Sequence, residues 1–197
     1  MTRPLDGSAA ESEGSGASVL IVCTGNICRS PAAELLLAAR WGGAQVTVAS
    51  AGTGALVGQP VHPPMAELLA AAGVDAGGFG ARDLRPQDLR QADLVLTMTR
   101  AHRTAVARLL PAAVRRTFLL VEAADIAASV AAAGWPEDVG RAAAARLAAL
   151  PALAAPHRRP AGTDLEVPDP YRRPAEEYSR AFAMIESAVD RLARAVG

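Results

Sequence analysis

The chain has 197 residues, 51% of them hydrophobic, with 20 acidic and 20 basic side chains. That length and apolar content suit one compact domain with a full core, and a formal charge of zero supplies no net field to recruit nucleic acid or an anionic membrane. All 20 basic residues are arginines, which excludes lysine chemistry such as a Schiff base or a P-loop lysine.

Residues 1–17 are rich in Ser, Gly and Glu and read as a disordered tail that lacks the apolar centre of a signal peptide. The remainder, 18–197, reads as a single domain. No apolar run is long enough to span a bilayer. A cytoplasmic setting is therefore expected, where thiols stay reduced and two cysteines are either reactive or simply buried.

SVLIVC is a buried strand that ends at Cys23, and SPAAELLLAARW follows as a helix with Ser30 as N-cap and Pro31 at the first helical position. VTVAS (46–50) is a second strand and PPMAELLAAAG (63–73) a second helix closed by Gly73. ADLVLTM (92–98) is a third strand, succeeded by a helix through Leu110, and RTFLLV (116–121) is a fourth. The stretch 121–165 is an Ala-rich expansion, read as an added surface helix (roughly 137–150) and a long Pro/Arg-rich loop. Tyr178, Phe182, Ile185, Val189, Leu192 and Val196 then form the apolar stripe of a terminal helix.

Strands alternating with helices predict an α/β fold: a four-stranded parallel sheet with right-handed crossovers and helices on both faces. Ligands of such sheets bind beyond the carboxyl ends of the strands. The loop CTGNICRS, after the first strand, lies there.

Gly25 and Asn26 tolerate the left-handed backbone that turns successive N–H groups into one concavity. The following helix adds its positive end, and Arg29 adds a planar fork for two phosphate oxygens. Such a cradle holds a tetrahedral oxyanion and favours the thiolate form of Cys23. Thiolate beside phosphate means attack on phosphorus and a phosphocysteine intermediate. By itself C-x5-R recurs by chance, and a buried cysteine is commonly a small apolar filler. The preceding strand, the Gly-Asn pair and the Ser-Pro helix start are what single this one out.

VCTGNICRSPAAE resembles the signature of the bacterial low-molecular-weight protein tyrosine phosphatases. SAGTGA at Ser50, ADLVLTMTRAH, and VPDPY at Val167 resemble their later segments. The resemblance spans about 18–197 and thins across 121–165. It implies a flavodoxin-like fold with the phosphate loop after the first strand. It also implies Cys23 as nucleophile, Arg29 on the equatorial oxygens and Asp169 as acid, then base. Thr24, Gly25, Asn26, Ile27 and Cys28 complete the loop. Asn26 would fix its backbone with Ser50 as partner, and Ser30 would cap the helix and donate to the Cys23 sulfur.

Tyr171 would wall the cleft or, on the plainer reading, anchor the last helix. Where many relatives carry a Trp this chain reads LVGQP, so Leu56 or Val57 would supply an aliphatic wall. Cys28 is either a redox guard that pairs with Cys23, as in some relatives, or a filler. His62, His102 and His157 lack metal-ligand spacing and read as surface or structural residues. Arg158 and Arg159 read as solvated charges. No metal or cofactor is expected.

The implied partner is a phosphotyrosine protein, with a bacterial tyrosine kinase among the candidates, acted on by a monomer. Three other readings stay open. A protein-arginine phosphatase of this fold would carry Thr where this chain has Ile27, whose hydrocarbon suits a phenyl ring. A thiol-linked arsenate reductase needs further cysteines after Cys28, and none follows. A phosphate-binding scaffold would lack Cys23, Arg29 or Asp169.

Overall fold

A computed structural model describes residues 16–42, 45–158 and 165–197. The tail reading of residues 1–15 and the solvated-charge reading of Arg159 lie outside them. Four strands form one all-parallel sheet: β1 (Ala17–Cys23), β2 (Val46–Gly52), β3 (Leu94–Thr97) and β4 (Thr117–Leu119). Their spatial order is β2-β1-β3-β4, the doubly wound flavodoxin-like order. Ala17, placed in the tail from sequence, is the first residue of β1 and pairs with Val46.

The period-2 geometry of a strand sorts β1 between two cores. Ala17, Val19, Ile21 and Cys23 face the larger one, where α1 (Arg29–Arg40), α2 (Pro63–Ala71) and α7 (Ala175–Val196) pack. Leu20 and Val22 face the smaller one, with α3 (Pro86–Gln91), α4 (Arg100–Leu109) and the 3-10 segment Pro111–Arg116. β3 divides likewise, with Leu94 and Leu96 on one side and Val95 on the other. All six stripe residues of α7 are buried.

Further along the chain, from β4 onward, the structure corrects the sequence reading at three places. β4 ends at Leu119, and Leu120 and Val121 open α5 (Leu120–Ala133). The FLLV run looks like a strand because its buried face continues without interruption from strand into helix. Secondly, 121–165 does not carry merely a surface helix. α5 buries Leu120, Val121, Ala123, Ala124, Ile126, Ala127 and Val130 and packs along α7. α6 (Ala143–Leu153) buries Leu147 and Leu150 on the same core. Small alanines hide this from a hydrophobic-periodicity test, because they let helices approach closely without marking a stripe. Thirdly, Arg158 is not simply solvated: its guanidinium lies 4.8 Å over the Phe118 ring, with Nε 3.4 Å from Glu122.

No helix among the described residues is long and apolar enough to cross a membrane. The core role of α5 has a direct check. Ile126→Ala should lower the unfolding free energy by about 2–5 kcal/mol in urea titration, whereas a surface position would change it by roughly 0.5 kcal/mol or less.

Candidate active site

β1 delivers Cys23 to the carboxyl edge of the sheet, between the neighbours β2 and β3 where the strand order reverses. The chain then turns through Thr24–Cys28 into α1. The helix begins at Arg29 with Cys28 as N-cap, two residues earlier than the predicted start with Ser30 as N-cap and Pro31 first. The reason is that the Ser30 hydroxyl serves the loop rather than the helix. It sits 2.9 Å from the Cys23 sulfur and 2.9 Å from Asn26 Nδ2.

Asn26 is buried, with φ of 54°, a left-handed conformation that Asn accepts more readily than most residues. Its amide is oriented without ambiguity. The Arg82 backbone N–H donates to Oδ1 at 2.9 Å, so Nδ2 donates to Ser30 and, at 2.7 Å, to Ser50. Ser50 in turn donates to Glu34 Oε2 at 2.5 Å. With Ser30 accepting from Asn26, its own hydrogen is free to point at Cys23. A chain of four hydrogen bonds thus runs from Glu34 to the sulfur. Burial raises the pKa of the Glu34 carboxyl, against the lowering effect of Ser50.

The neighbouring segment clasps the loop. Thr53, Gly54 and Leu56 N–H groups donate to the carbonyls of Cys23, Thr24 and Gly25 at 2.9, 3.1 and 3.0 Å, and His62 N–H donates to Ile27 at 2.7 Å. Gly52 pairs with Cys23 across β1 and β2. A Cβ there would lie 2.3 Å from the Thr24 carbonyl oxygen.

Beyond the loop a cavity of about 170 Å³ is lined by Cys23, Arg29, Asp169 and the apolar walls Ile27, Leu56 and Tyr171. Leu56, not Val57, supplies the aliphatic wall; Val57 is 63% exposed and does not line the cavity. The buried Arg29 guanidinium pairs through Nη2 with Asp169 Oδ2 at 2.8 Å, and through Nη1 with the Val167 carbonyl at 3.3 Å. Its Nε has no hydrogen-bond partner among the described residues. Tyr171 N–H donates to the other Asp169 oxygen at 3.2 Å, so the Asp-Pro-Tyr turn holds the carboxylate over the arginine. Cys28 is buried and free. Burial, then the neighbouring Cys23, pushes its thiol up to about 12, which makes it a poor nucleophile near neutral pH.

Three participants were missed from sequence. Glu34 lies one turn beyond Ser30 on α1, and only that i,i+4 spacing hinted at a shared face. His102 is buried and hydrogen-bonded to Thr24 at 2.9 Å and Thr99 at 3.0 Å. Burial, then the Arg29 charge, lowers it from 6.5 to about 4, so it is neutral at pH 7. His62 approaches both Tyr171 and Tyr178. His157 bonds Ser129 at an exposed position. Among the described residues no three His, Cys, Asp or Glu side chains gather as a metal site.

The sequence pattern of the family described as "Low molecular weight phosphotyrosine protein phosphatase" matches residues 18–149. The low molecular weight protein-tyrosine-phosphatase Etp of Escherichia coli K12 is 31% identical over 87% of this chain and 88% of its own. The tyrosine phosphatase Wzb of Escherichia coli K30, solved in complex with sulphate, superposes with a TM-score of 0.66 at 26% identity, covering 92% of this chain and 99% of that one. The YwlE arginine phosphatase from Geobacillus stearothermophilus gives 0.64 at 27% identity, covering 90% and 91%.

A neutral buried histidine carries a pH signature. The folded state holds His102 below its unfolded value, so from pH 6.5 down to about 4 the unfolded chain binds the extra proton. Stability present above pH 6.5 is therefore lost as pH falls. Between pH 7 and pH 5 wild type should lose about 2 kcal/mol more than His102→Gln in urea denaturation. Parallel losses in the two proteins would rule this out.

Proposed function

The chain belongs to the low molecular weight phosphotyrosine protein phosphatase family, and from that premise we propose that it hydrolyses phosphotyrosine in proteins through a phosphocysteine intermediate. The observation that carries the reading is the convergence of Cys23, Arg29 and Asp169 on one cavity, with Ser30 2.9 Å from the sulfur. Phosphate enters where Asp169 now meets Arg29. The guanidinium exchanges a carboxylate for phosphate oxygens, and its Nε, without a partner among the described residues, offers a second donor. The loop carbonyls are tied back to the scaffold, so its amides are the groups left to face the anion.

In the first step the Cys23 sulfur bonds to phosphorus as the bond from phosphorus to the phenol oxygen breaks. Asp169, released from Arg29 and protonated, delivers its proton to that oxygen. Water then attacks phosphorus, Asp169 takes its proton, and the S–P bond breaks to free phosphate and regenerate Cys23. Ser30 stabilises the sulfur as leaving group through its hydrogen bond.

Ile27, Leu56 and Tyr171 make walls suited to a flat ring, which supports an aryl phosphate over a guanidinium phosphate. The partner is then a phosphotyrosine-bearing protein, bacterial tyrosine kinases among them, met by a cytoplasmic monomer. Cys28, held as a buried free thiol, serves packing in this scheme.

Cys23→Ser should abolish hydrolysis of aryl phosphates, and EDTA should leave it intact; an active Ser variant would sink the mechanism. Asp169→Asn should lower kcat by roughly 10²–10⁴, and a change confined to KM would reassign Asp169 to binding. Phosphotyrosine peptides should be cleaved in preference to phosphoarginine peptides, with the reverse order overturning the substrate reading.

A further inference from the structure

The cleft wall leans on a histidine that the proposed chemistry does not use. His62 occupies the N-cap of α2, where a side chain ordinarily satisfies the first free N–H groups of the helix. It makes no such bond. Pro63 and Pro64 have no N–H to satisfy, and the next donor, Met65 N–H, is taken by the His62 carbonyl at 2.9 Å. The first turn makes no demand on the imidazole, which is free for another purpose.

The ring meets Tyr171 edge-on, with centroids 5.3 Å apart and planes at 83°. It stacks on Tyr178 of α7 at 5.6 Å and 12°, and Nδ1 is hydrogen-bonded to the Tyr178 hydroxyl at 3.0 Å. Its backbone N–H holds the Ile27 carbonyl. Ile27 and Tyr171 line the cavity, and His62 does not. One residue therefore fixes a phosphate-loop wall by its main chain and an aromatic wall by its ring. Tyr178, buried against the core, keeps that ring from turning.

We propose that His62 is a positioning residue that sets the slot between Ile27 and Tyr171 and thereby selects a flat aromatic group beside the phosphate. The proposal rests on the phosphatase reading above. It is tested by calorimetric titration with inorganic phosphate, which has no ring, and with phenylphosphonate, which has one. In His62→Ala the affinity for phenylphosphonate should fall about three- to tenfold, the equivalent of one edge-to-face pair, while that for phosphate stays within about twofold. His62→Phe keeps a ring and should recover the difference. His62→Gln keeps only a hydrogen bond to Tyr178 and should not. Equal weakening of both ligands in His62→Ala, or recovery by Gln and not by Phe, would overturn the proposal. A wild-type protein that binds neither ligand would overturn the phosphatase reading itself.

Discussion

The left-handed backbone at Asn26 is the constraint from which the site is built. A reversal there lets the chain leave β1 and enter α1 within five residues, closing a loop tight enough to grip a tetrahedral anion. The conformation is costly for most side chains, and here three hydrogen bonds from one buried amide hold it in place. Those bonds reach α1, β2 and the segment before α3. The loop therefore acquires its shape only when the sheet and both flanking connections have assembled. Such a buried polar network is strong when every member is satisfied and damaging when one is not.

Much of the fold was legible in the sequence because its signals are local. The unbroken apolar run of β1, the four-and-three stepping of α7 and the glycine after α2 each need only a short window. The failures share a different character. α5 hides because alanine packs without marking a face, and α3 escapes because its six residues offer less than two turns of periodicity. The start of α1 was misplaced because a serine that looks like a cap is committed to a sulfur seven residues back.

At the site, Cys23, Arg29 and Asp169 could be nominated from motif, and the structure brings them to one cavity. Asn26, Ser30 and Ser50 came with the same motif, and they meet around the sulfur; the more distant support could not be nominated. His102 reaches Thr24 across 78 residues and His62 reaches Tyr178 across 116, distances at which spacing in sequence carries no information. Arg29 and Asp169 show the same principle from the other side. The ion pair joins the start of α1 to the turn before α7, so the two charges proposed for the chemistry also tie distant parts of the fold together.

Gly52 extends this to a residue with no functional group. Its hydrogen atom faces the Thr24 carbonyl where any Cβ would collide, and the obstructing atom is main chain, which no rotamer change can move aside. A saturation scan read only through activity would place position 52 beside Cys23 in importance. The cause is different in kind: the first atom of a side chain there would push the phosphate loop off its strand. In this molecule the boundary of the active site is a steric surface that runs one residue behind the reacting atoms.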